Sequence, residues 1–198
     1  MCNADIRKFI NDYKALGGMI VFSSHEDEEI AMADSLTGFS STRITTGAVL
    51  DDEYGLTTRT SAVTIIPMFV DSLNIGDNPI FKRFRMSICK DTVSTNIPSQ
   101  KNILQTINIY ELNAPIDKEK DFDCNKPLSH ASKRITKGFP VYDGGDSLSV
   151  EFNEEFGRKF LSLTKEDVKS YDNYVKKIPG IYFETENPDN KGGRINIF

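Results

Sequence analysis

A group of aromatic and acidic residues in predicted loops has the chemistry that carbohydrate binding requires. Tyr54 lies in one predicted turn, and Phe139 and Tyr142 lie near another, beside Asp143 and Asp146. Aromatic rings stack on the apolar faces of sugars, and carboxylates accept hydrogen bonds from hydroxyl groups. The same rings would also suit corner positions packed beneath a sheet. The sequence therefore predicts a candidate glycan site and leaves a purely structural alternative open.

The histidines and cysteines show no comparable grouping. His25 and His130 have neither a nucleophile nor a second metal ligand at a recognised spacing. Cys2, Cys89 and Cys124 are widely separated and contain no Cys-x-x-Cys pair, which argues against zinc or redox chemistry within the fold. We therefore predict no metal and no cofactor.

Acidic residues are abundant enough to allow an enzymatic alternative. A glycoside hydrolase uses two carboxyl groups about 5 to 10 Å apart in a cleft. The 29 Asp and Glu residues permit such a pair without identifying it. The turns at residues 143–146 and 187–190 are weaker candidates for calcium, since neither has the spacing of a known calcium loop. The sequence thus predicts a protein that is not an enzyme, with a secreted glycoside hydrolase as the alternative.

Composition and charge describe an ordinary globular protein. The chain has 198 residues, 38% of them hydrophobic and 27% charged, which is enough for one sizeable β-rich domain. A net charge of −5, without any run of Lys and Arg, argues against nucleic acid or an anionic membrane surface as a partner. No stretch approaches the roughly 20 apolar residues of a membrane-spanning helix.

The strands that would position these residues follow from the spacing of apolar side chains. Residues 102–113, NILQTINIYELN, carry apolar side chains on both faces and predict a long interior strand. Residues 80–89 alternate, with Phe84, Met86 and Ile88 on one face, and predict a half-buried strand. Because a polar loop joins the two, we expect antiparallel neighbours that contribute to one core.

Turn residues and spacing predict the remaining elements. Residues 43–50 and 56–68 should form a hairpin around the turn at residues 51–55. Residues 147–152 alternate and predict another half-buried strand, whereas residues 117–137 form the longest irregular segment, where binding residues could lie.

The last part of the chain returns to helical spacing before two further strands. Residues 153–177 predict two helices divided at Thr164, which caps the second helix together with Asp167. Residues 181–185 and 194–198 then predict two strands that pair with each other.

Together these elements predict a mainly β fold. It is an antiparallel β-sandwich over residues 43–198 with two or three accessory helices, preceded by a helical N-terminal segment over residues 1–42. Within that segment, apolar residues spaced by three and four predict a helix over residues 5–16. Because the chain ends on the apolar Phe198 in a predicted strand, we expect the sandwich to be truncated at its C-terminus.

Several short motifs occur in an order typical of one known family. They are Asp52-Glu53-Tyr54-Gly55, Asp71-Ser72-Leu73, NIYELN, DSLSVEF, FGRKFLSL and the closing KKIPGIYFETENPDNKGGRINIF. In this order the chain resembles the Bacteroidetes cell-envelope lipoproteins of the domain-of-unknown-function family 4270, over about residues 44–198. The resemblance implies export to the cell envelope, at the outer membrane surface or in the periplasm, and it implies no particular reaction.

The resemblance also suggests how the chain would be attached. Cys2 is the candidate lipid-attachment residue, so that membrane contact would occur only through a lipid anchor. Four tripeptides resemble the sites that Bacteroidetes glycosylate on exported proteins: Asp34-Ser35-Leu36, Asp71-Ser72-Leu73, Asp91-Thr92-Val93 and Asp146-Ser147-Leu148. Such tripeptides are equally typical of a turn entering a strand. The predicted function is a non-catalytic exported envelope protein that binds glycans or a protein partner.

Overall fold

The computed structural model describes residues 21–23, 30–32, 43–66, 75–91, 103–117 and 126–198. The chain divides into two compact units, Met1–Thr42 with Asp117–Pro127, and Arg43–Ile116 with Leu128–Phe198. In the first unit, strand β1 (Val21–Ser23) pairs antiparallel with β2 (Ile30–Met32). The helix predicted over residues 5–16 lies outside the described residues. The prediction that residues 1–42 form a helical segment is wrong for residues 21–23 and 30–32, which form strands.

The second unit is a mainly β, antiparallel sandwich, as predicted. One layer contains β5 (Ser61–Val63), β11 (Ile181–Thr185), β7 (Gln105–Leu112) and β8 (His130–Arg134) in that order, with β9 (Val141–Tyr142) also paired to β7. The other layer contains the sheet β12 (Gly192–Ile197), β3 (Thr45–Asp51) and β4 (Gly55–Arg59). β10 (Ser147–Phe152) and β6 (Phe84–Cys89) form a separate pair, which is bridged to the segment after β8 through Thr136 and Phe152. These strand pairs are all antiparallel.

The main hydrophobic core is formed by buried apolar side chains of β7, β10 and β11. In β7, Ile107 and Ile109 are fully buried, and Phe183 of β11 lies beside them. They pack against Leu148, Val150 and Phe152 of β10, with Phe84, Met86 and Ile88 of β6 at the margin. The prediction that the apolar faces of β6 and β7 share one core is therefore confirmed for Ile107 and Ile109.

Two predicted strand pairings are wrong. β6 pairs with β10 and not with β7, and β12 pairs with β3 and not with β11. β11 instead lies between β5 and β7, where it buries Ile181 and Phe183 completely. In both cases the partner strand is not the neighbouring strand along the chain, which alternation along a single strand does not reveal.

The irregular segment predicted over residues 117–137 is also partly wrong. β8 occupies its second half, and it continues through Ile135 to a bridge between Thr136 and Phe152. Likewise, the strand predicted over residues 56–68 is divided at Thr60, because β4 and β5 belong to different layers.

Three short helices follow β10: α1 (Glu154–Leu161), α2 (Lys165–Lys169) and α3 (Tyr171–Lys177). Thr164 and Asp167 form the predicted capping box at the start of α2. The second predicted helix is divided into α2 and α3, because Ser170 is extended. The helices enclose a small separate core formed by Leu163, Val168, Tyr174, Val175 and Ile178.

Polar side chains also connect the layers inside the sandwich. Thr46 of β3 shares a hydrogen bond with Thr185 of β11 at 2.9 Å. The amide nitrogen of Gln105 donates to the backbone oxygens of Ala48 and Arg194 at 3.1 and 3.0 Å, which joins β7 to β3 and β12. These contacts are buried, so their loss leaves polar groups without water to replace them.

The hairpin predicted around residues 51–55 is confirmed, since β3 pairs with β4. The Asp51 carboxylate accepts hydrogen bonds from the backbone N–H groups of Glu53 and Tyr54 at 2.8 and 3.1 Å. Gly55 then adopts a φ of 71°, a conformation that glycine enters without the strain of a Cβ atom. The carboxylate therefore stabilises the turn directly.

We expect this carboxylate to make stability depend on pH. The turn N–H groups, that of Glu53 most strongly, lower the pKa of Asp51. A lowered pKa contributes stability that is fully present above the unfolded pKa of about 3.9 and lost as pH falls through the folded pKa. Asp51→Asn should therefore destabilise the fold at neutral pH and converge with wild type in acid. Urea unfolding across this range measures the difference, and a difference independent of pH would contradict the role.

Candidate functional site

The three aromatic residues of the predicted glycan site differ in how exposed they are. The side chains of Tyr54 and Phe139 are 79% and 62% exposed, whereas Tyr142 in β9 is only 2% exposed. The Tyr142 hydroxyl donates to the backbone oxygen of Gly145, and its ring packs against Phe198 with centroids 5.0 Å apart. Tyr142 is therefore a structural residue, and its prediction as a stacking ring is wrong because the ring faces the core.

The two predicted carboxylates belong to the turn between β9 and β10. Asp143 accepts a hydrogen bond from the backbone N–H of Gly145 at 2.9 Å, and the backbone oxygen of Asp146 accepts one from Lys90 at 2.8 Å. Both acidic side chains are exposed. Within the described ranges, no three His, Cys, Asp or Glu side chains lie close enough together to hold a metal ion.

A different group of side chains converges on the side of the first layer that faces away from the core. Alternation along β7 directs Ile107 and Ile109 toward the core and places Asn108 and Tyr110 on the other side of the sheet. In the ladder, Tyr110 lies opposite Arg134 and Tyr182, and Asn108 lies opposite Glu184. We call this side of the layer the outer face; its members are Asn108, Tyr110, His130, Arg134, Tyr182 and Glu184, with Phe139 and Glu186 at its border. Asn108 and Tyr182 are buried, at 6% and 3% exposed, so the accessible groups are those of the other members.

A hydrogen-bonded chain of planar side chains crosses the outer face. Arg134 Nη1 donates to Asn108 Oδ1 at 2.9 Å, and Asn108 Nδ2 donates to Glu186 Oε1 at 3.3 Å. The Arg134 guanidinium also lies 3.6 Å above the centre of the Phe139 ring. These contacts fix the orientation of Arg134 before any ligand arrives. In the described part of the chain, Arg134 forms no ion pair, so its other N–H groups can donate to a ligand.

Three stacked rings form the opposite part of the outer face. The His130 ring lies between Tyr110 and Tyr182, with centroids 4.6 Å from each and interplanar angles of 25° and 15°. His130 Nδ1 also donates to the backbone oxygen of Ala131 at 2.9 Å. Burial, followed by the charge of Glu184, raises the pKa of Tyr110. The Tyr110 hydroxyl is therefore neutral at pH 7 and can donate as well as accept.

The outer face carries a small excess of negative charge. Arg134 contributes one positive charge, and Glu184 and Glu186 contribute two negative charges. Guanidinium, amide and carboxylate groups together supply both donors and acceptors in fixed directions, and Phe139 supplies an exposed apolar ring. Such a surface suits a neutral ligand rich in hydroxyl groups better than a strongly charged ligand.

Sequence reasoning missed most of the outer face. Arg134 and His130 lie in the segment predicted to be irregular, although that segment was expected to carry binding residues. Asn108 and Tyr110 lie in the predicted strand, on the side that was expected to be covered by a helix or by residues 117–137. Asn108 and Leu112 on this side are buried, as that expectation requires. The polar Asn108 in a strand otherwise rich in Ile was the available signal. Only the ladder register shows that Arg134 lies beside it.

The structure contains one shallow depression relevant to the enzymatic alternative. It lies between β8 and α1 and is lined partly by Glu111 and Glu155. Each carboxylate is bound to a lysine, Glu111 to Lys159 at 2.6 Å and Glu155 to Lys133 at 2.8 Å. The hydrogen bond and charge of Lys133 lower the pKa of Glu155. A general acid requires the opposite shift, so Glu155 does not have the environment of one.

Other predicted features of the sequence lie largely outside the described residues. Cys2 is among them, as are the tripeptides beginning at Asp34 and Asp71 and the last two residues of the tripeptide beginning at Asp91. In the tripeptide at Asp146, Ser147 is exposed and Leu148 is buried at the start of β10. This arrangement is the one expected of a turn entering a strand.

Comparison with known proteins identified no relative of this chain. No protein-family model matches the chain, and no curated protein or solved structure is significantly similar to it. Of the helices in the described ranges, none is long and apolar enough to span a membrane.

Proposed function

We propose that this chain is a non-catalytic glycan-binding domain of an exported cell-envelope protein, and that the outer face binds the glycan. The observation that carries the proposal is the connected set of Arg134, Asn108 and Glu186 beside the exposed ring of Phe139. Sugars present hydroxyl groups at their edges and C–H groups on their faces. The outer face offers complementary groups for both within one surface.

The fixed orientation of the Arg134 and Asn108 side chains supports specific binding of a ligand. Arg134 is held from one side by Asn108 and from below by Phe139, so it loses little conformational freedom when a ligand binds. Asn108 is 6% exposed and uses its amide to connect Arg134 with Glu186. Networks of this kind strengthen each member, because every hydrogen bond polarises the next.

Export and lipid anchoring form the second part of the proposal. They are supported by the resemblance to the family 4270 lipoproteins, by Cys2 directly after Met1, and by the four glycosylation-type tripeptides. A lipid on Cys2 would anchor the chain at the outer membrane, with the sandwich outside the bilayer. An envelope protein is the alternative partner for the outer face.

The glycoside hydrolase alternative receives less support. The depression that brings Glu111 and Glu155 together pairs both carboxylates with lysines. The carboxyl groups of Asp51, Glu151 and Asp167 also have lowered pKa values, each mainly through hydrogen bonds to its carboxylate. The general acid of a hydrolase needs a raised pKa at the site of reaction.

Glycan binding is tested with an array of neutral and acidic glycans, followed by titration calorimetry on the best ligand. We expect neutral glycans to bind, and Arg134→Ala to weaken binding roughly tenfold to hundredfold, because hydrogen bonds from a charged donor contribute about 1.5 to 3 kcal/mol. Phe139→Ala should weaken binding as well.

Tyr54→Ala is the matched control, because Tyr54 is an exposed aromatic residue on the hairpin between β3 and β4. We expect it to bind as wild type does. Wild-type affinity in Arg134→Ala, or a loss of binding in Tyr54→Ala alone, would contradict the proposed site. Binding to no glycan on the array would exclude the proposed function in favour of a protein partner.

A further inference from the structure

The free edge of the second layer is exposed along almost its whole length. Among the described residues β4 pairs only with β3, and every β4 residue except Arg59 is exposed. Its outer row of backbone N–H and C=O groups is therefore available to another strand. Exposed edges usually carry Lys, Pro or a β-bulge that prevents pairing. The β4 sequence GLTTR has none of these and has one charge, at its end.

Hydrogen-bond geometry restricts how β4 could pair with a second copy of itself. Along an edge strand, only alternate residues direct both backbone groups outward. Two antiparallel copies must match these residues with one another, so one residue has to lie on the twofold axis. Thr57 is the axis residue that uses all five positions of β4, and it places Leu56 opposite Thr58 and Gly55 opposite Arg59.

The side chains of β4 are complementary in this register. Thr57 would face its own copy, and Thr–Thr pairs are favourable across strands. Arg59 would lie beside the acidic turn of the other copy, at Asp51, Asp52 and Glu53. In the described part of the chain, neither Arg59 nor Glu53 forms an ion pair through its side chain. Each twofold pairing therefore brings two unpaired cations next to two unpaired carboxylates.

We propose that the chain self-associates through antiparallel pairing of β4 with β4 of a second copy, about a twofold axis at Thr57. The contact joins two three-stranded sheets into one continuous six-stranded sheet. Because the paired strands are short, the dimer is weak and in exchange with monomer. The outer face belongs to the other layer, so self-association does not depend on glycan binding.

Disulfide crosslinking tests the register directly. The variants carry Cys2→Ser, Cys89→Ser and Cys124→Ser, with either Thr57→Cys or the matched control Thr58→Cys. Residues opposite each other across a twofold axis have Cα atoms about 4.5 to 5.5 Å apart, within disulfide range. Two copies of residue 58 would be separated by more than about 7 Å, beyond that range. We expect the Thr57→Cys dimer to form at least tenfold faster under mild oxidation.

Sedimentation of the full wild-type chain over a concentration series supplies the second measurement. We expect reversible dimers, weakened several-fold by Arg59→Glu and restored when Glu53→Arg is added. A chain that stays monomeric at all concentrations would overturn the proposal. Equal crosslinking of both cysteine variants would also overturn it, because the axis would not pass through Thr57. Glycan binding measured on the same samples reports separately on the outer face.

Discussion

Replacing Phe152 with Ala is expected to lower the free energy of unfolding by about 3 to 5 kcal/mol. Phe152 is 1% exposed and lies between Phe84 and Phe156, with ring centroids 4.9 and 5.1 Å away. Removing the ring leaves a cavity where β10, β6 and α1 meet. The two neighbouring rings are held by different elements, β6 and α1, so they cannot collapse fully into that space.

Urea unfolding followed by circular dichroism measures this loss. Phe139→Ala is the matched control, since it removes the same aromatic ring at a position that is 62% exposed. We expect that control to change the free energy of unfolding by less than about 1 kcal/mol, mainly through the contact with Arg134. Similar losses for the two variants would show that the core is not centred on Phe152.

Replacing Gln105 with Leu is expected to cost about 2 to 4 kcal/mol of unfolding free energy, although it places an apolar residue in the interior. The Gln105 amide donates to Ala48 and Arg194, and its oxygen accepts from Asn196 Nδ2 at 3.1 Å. Leucine would leave these buried groups with fewer hydrogen-bond partners. The free energy of unfolding falls because these buried polar groups would remain shielded from water without a hydrogen bond in its place.

Asn113→Ala provides the control for this prediction. Asn113 also donates a side-chain hydrogen bond, to Ser129 Oγ at 2.7 Å, but this contact is exposed. Because water can replace the lost partner, we expect a change of less than about 0.5 kcal/mol. If Gln105→Leu proved as mild as Asn113→Ala, the polar contacts of Gln105 would not be holding the two layers together.

Arg194 shows why the interior next to Gln105 needs such contacts. Arg194 as a whole is 5% exposed; Nε donates to Asn196 Oδ1 at 2.6 Å, and Nη2 donates to the backbone oxygen of Ile103 at 3.0 Å. Burial lowers the pKa of Arg194, yet a guanidinium remains charged at neutral pH. Backbone oxygens and side-chain amides thus replace the water that this charge would otherwise bind.

Local patterns predicted the elements whose structure depends on their own residues. Alternation predicted β10 and the buried side of β7, and the capping residues Thr164 and Asp167 predicted where α2 begins. β11 follows the segment predicted at residues 181–185. In each case the periodicity or the cap is set within a few residues, so distant parts of the chain are not needed to specify it.

Pairing between distant strands was predicted less well. The polar loop between β6 and β7 predicted that these two strands lie side by side, but β6 pairs with β10, and apolar side chains such as Val150 and Met86 meet across that ladder. The burial of Tyr142 depends in the same way on Phe198 and Arg194, which are more than fifty residues away. No local pattern contains this information.

By itself, the sequence determined a mainly β chain, the position of most strands and the cap of α2, because these follow from side-chain spacing and local hydrogen bonds. Tertiary structure alone decided which aromatic residues are exposed and which polar residues meet. Asn108, Arg134 and Glu186 come from three strands or their ends, and they form one surface only because the antiparallel register of β7 with β8 and β11 places them together. Ladder register is a property of strand pairs, so the candidate site could be found only after the strands were paired.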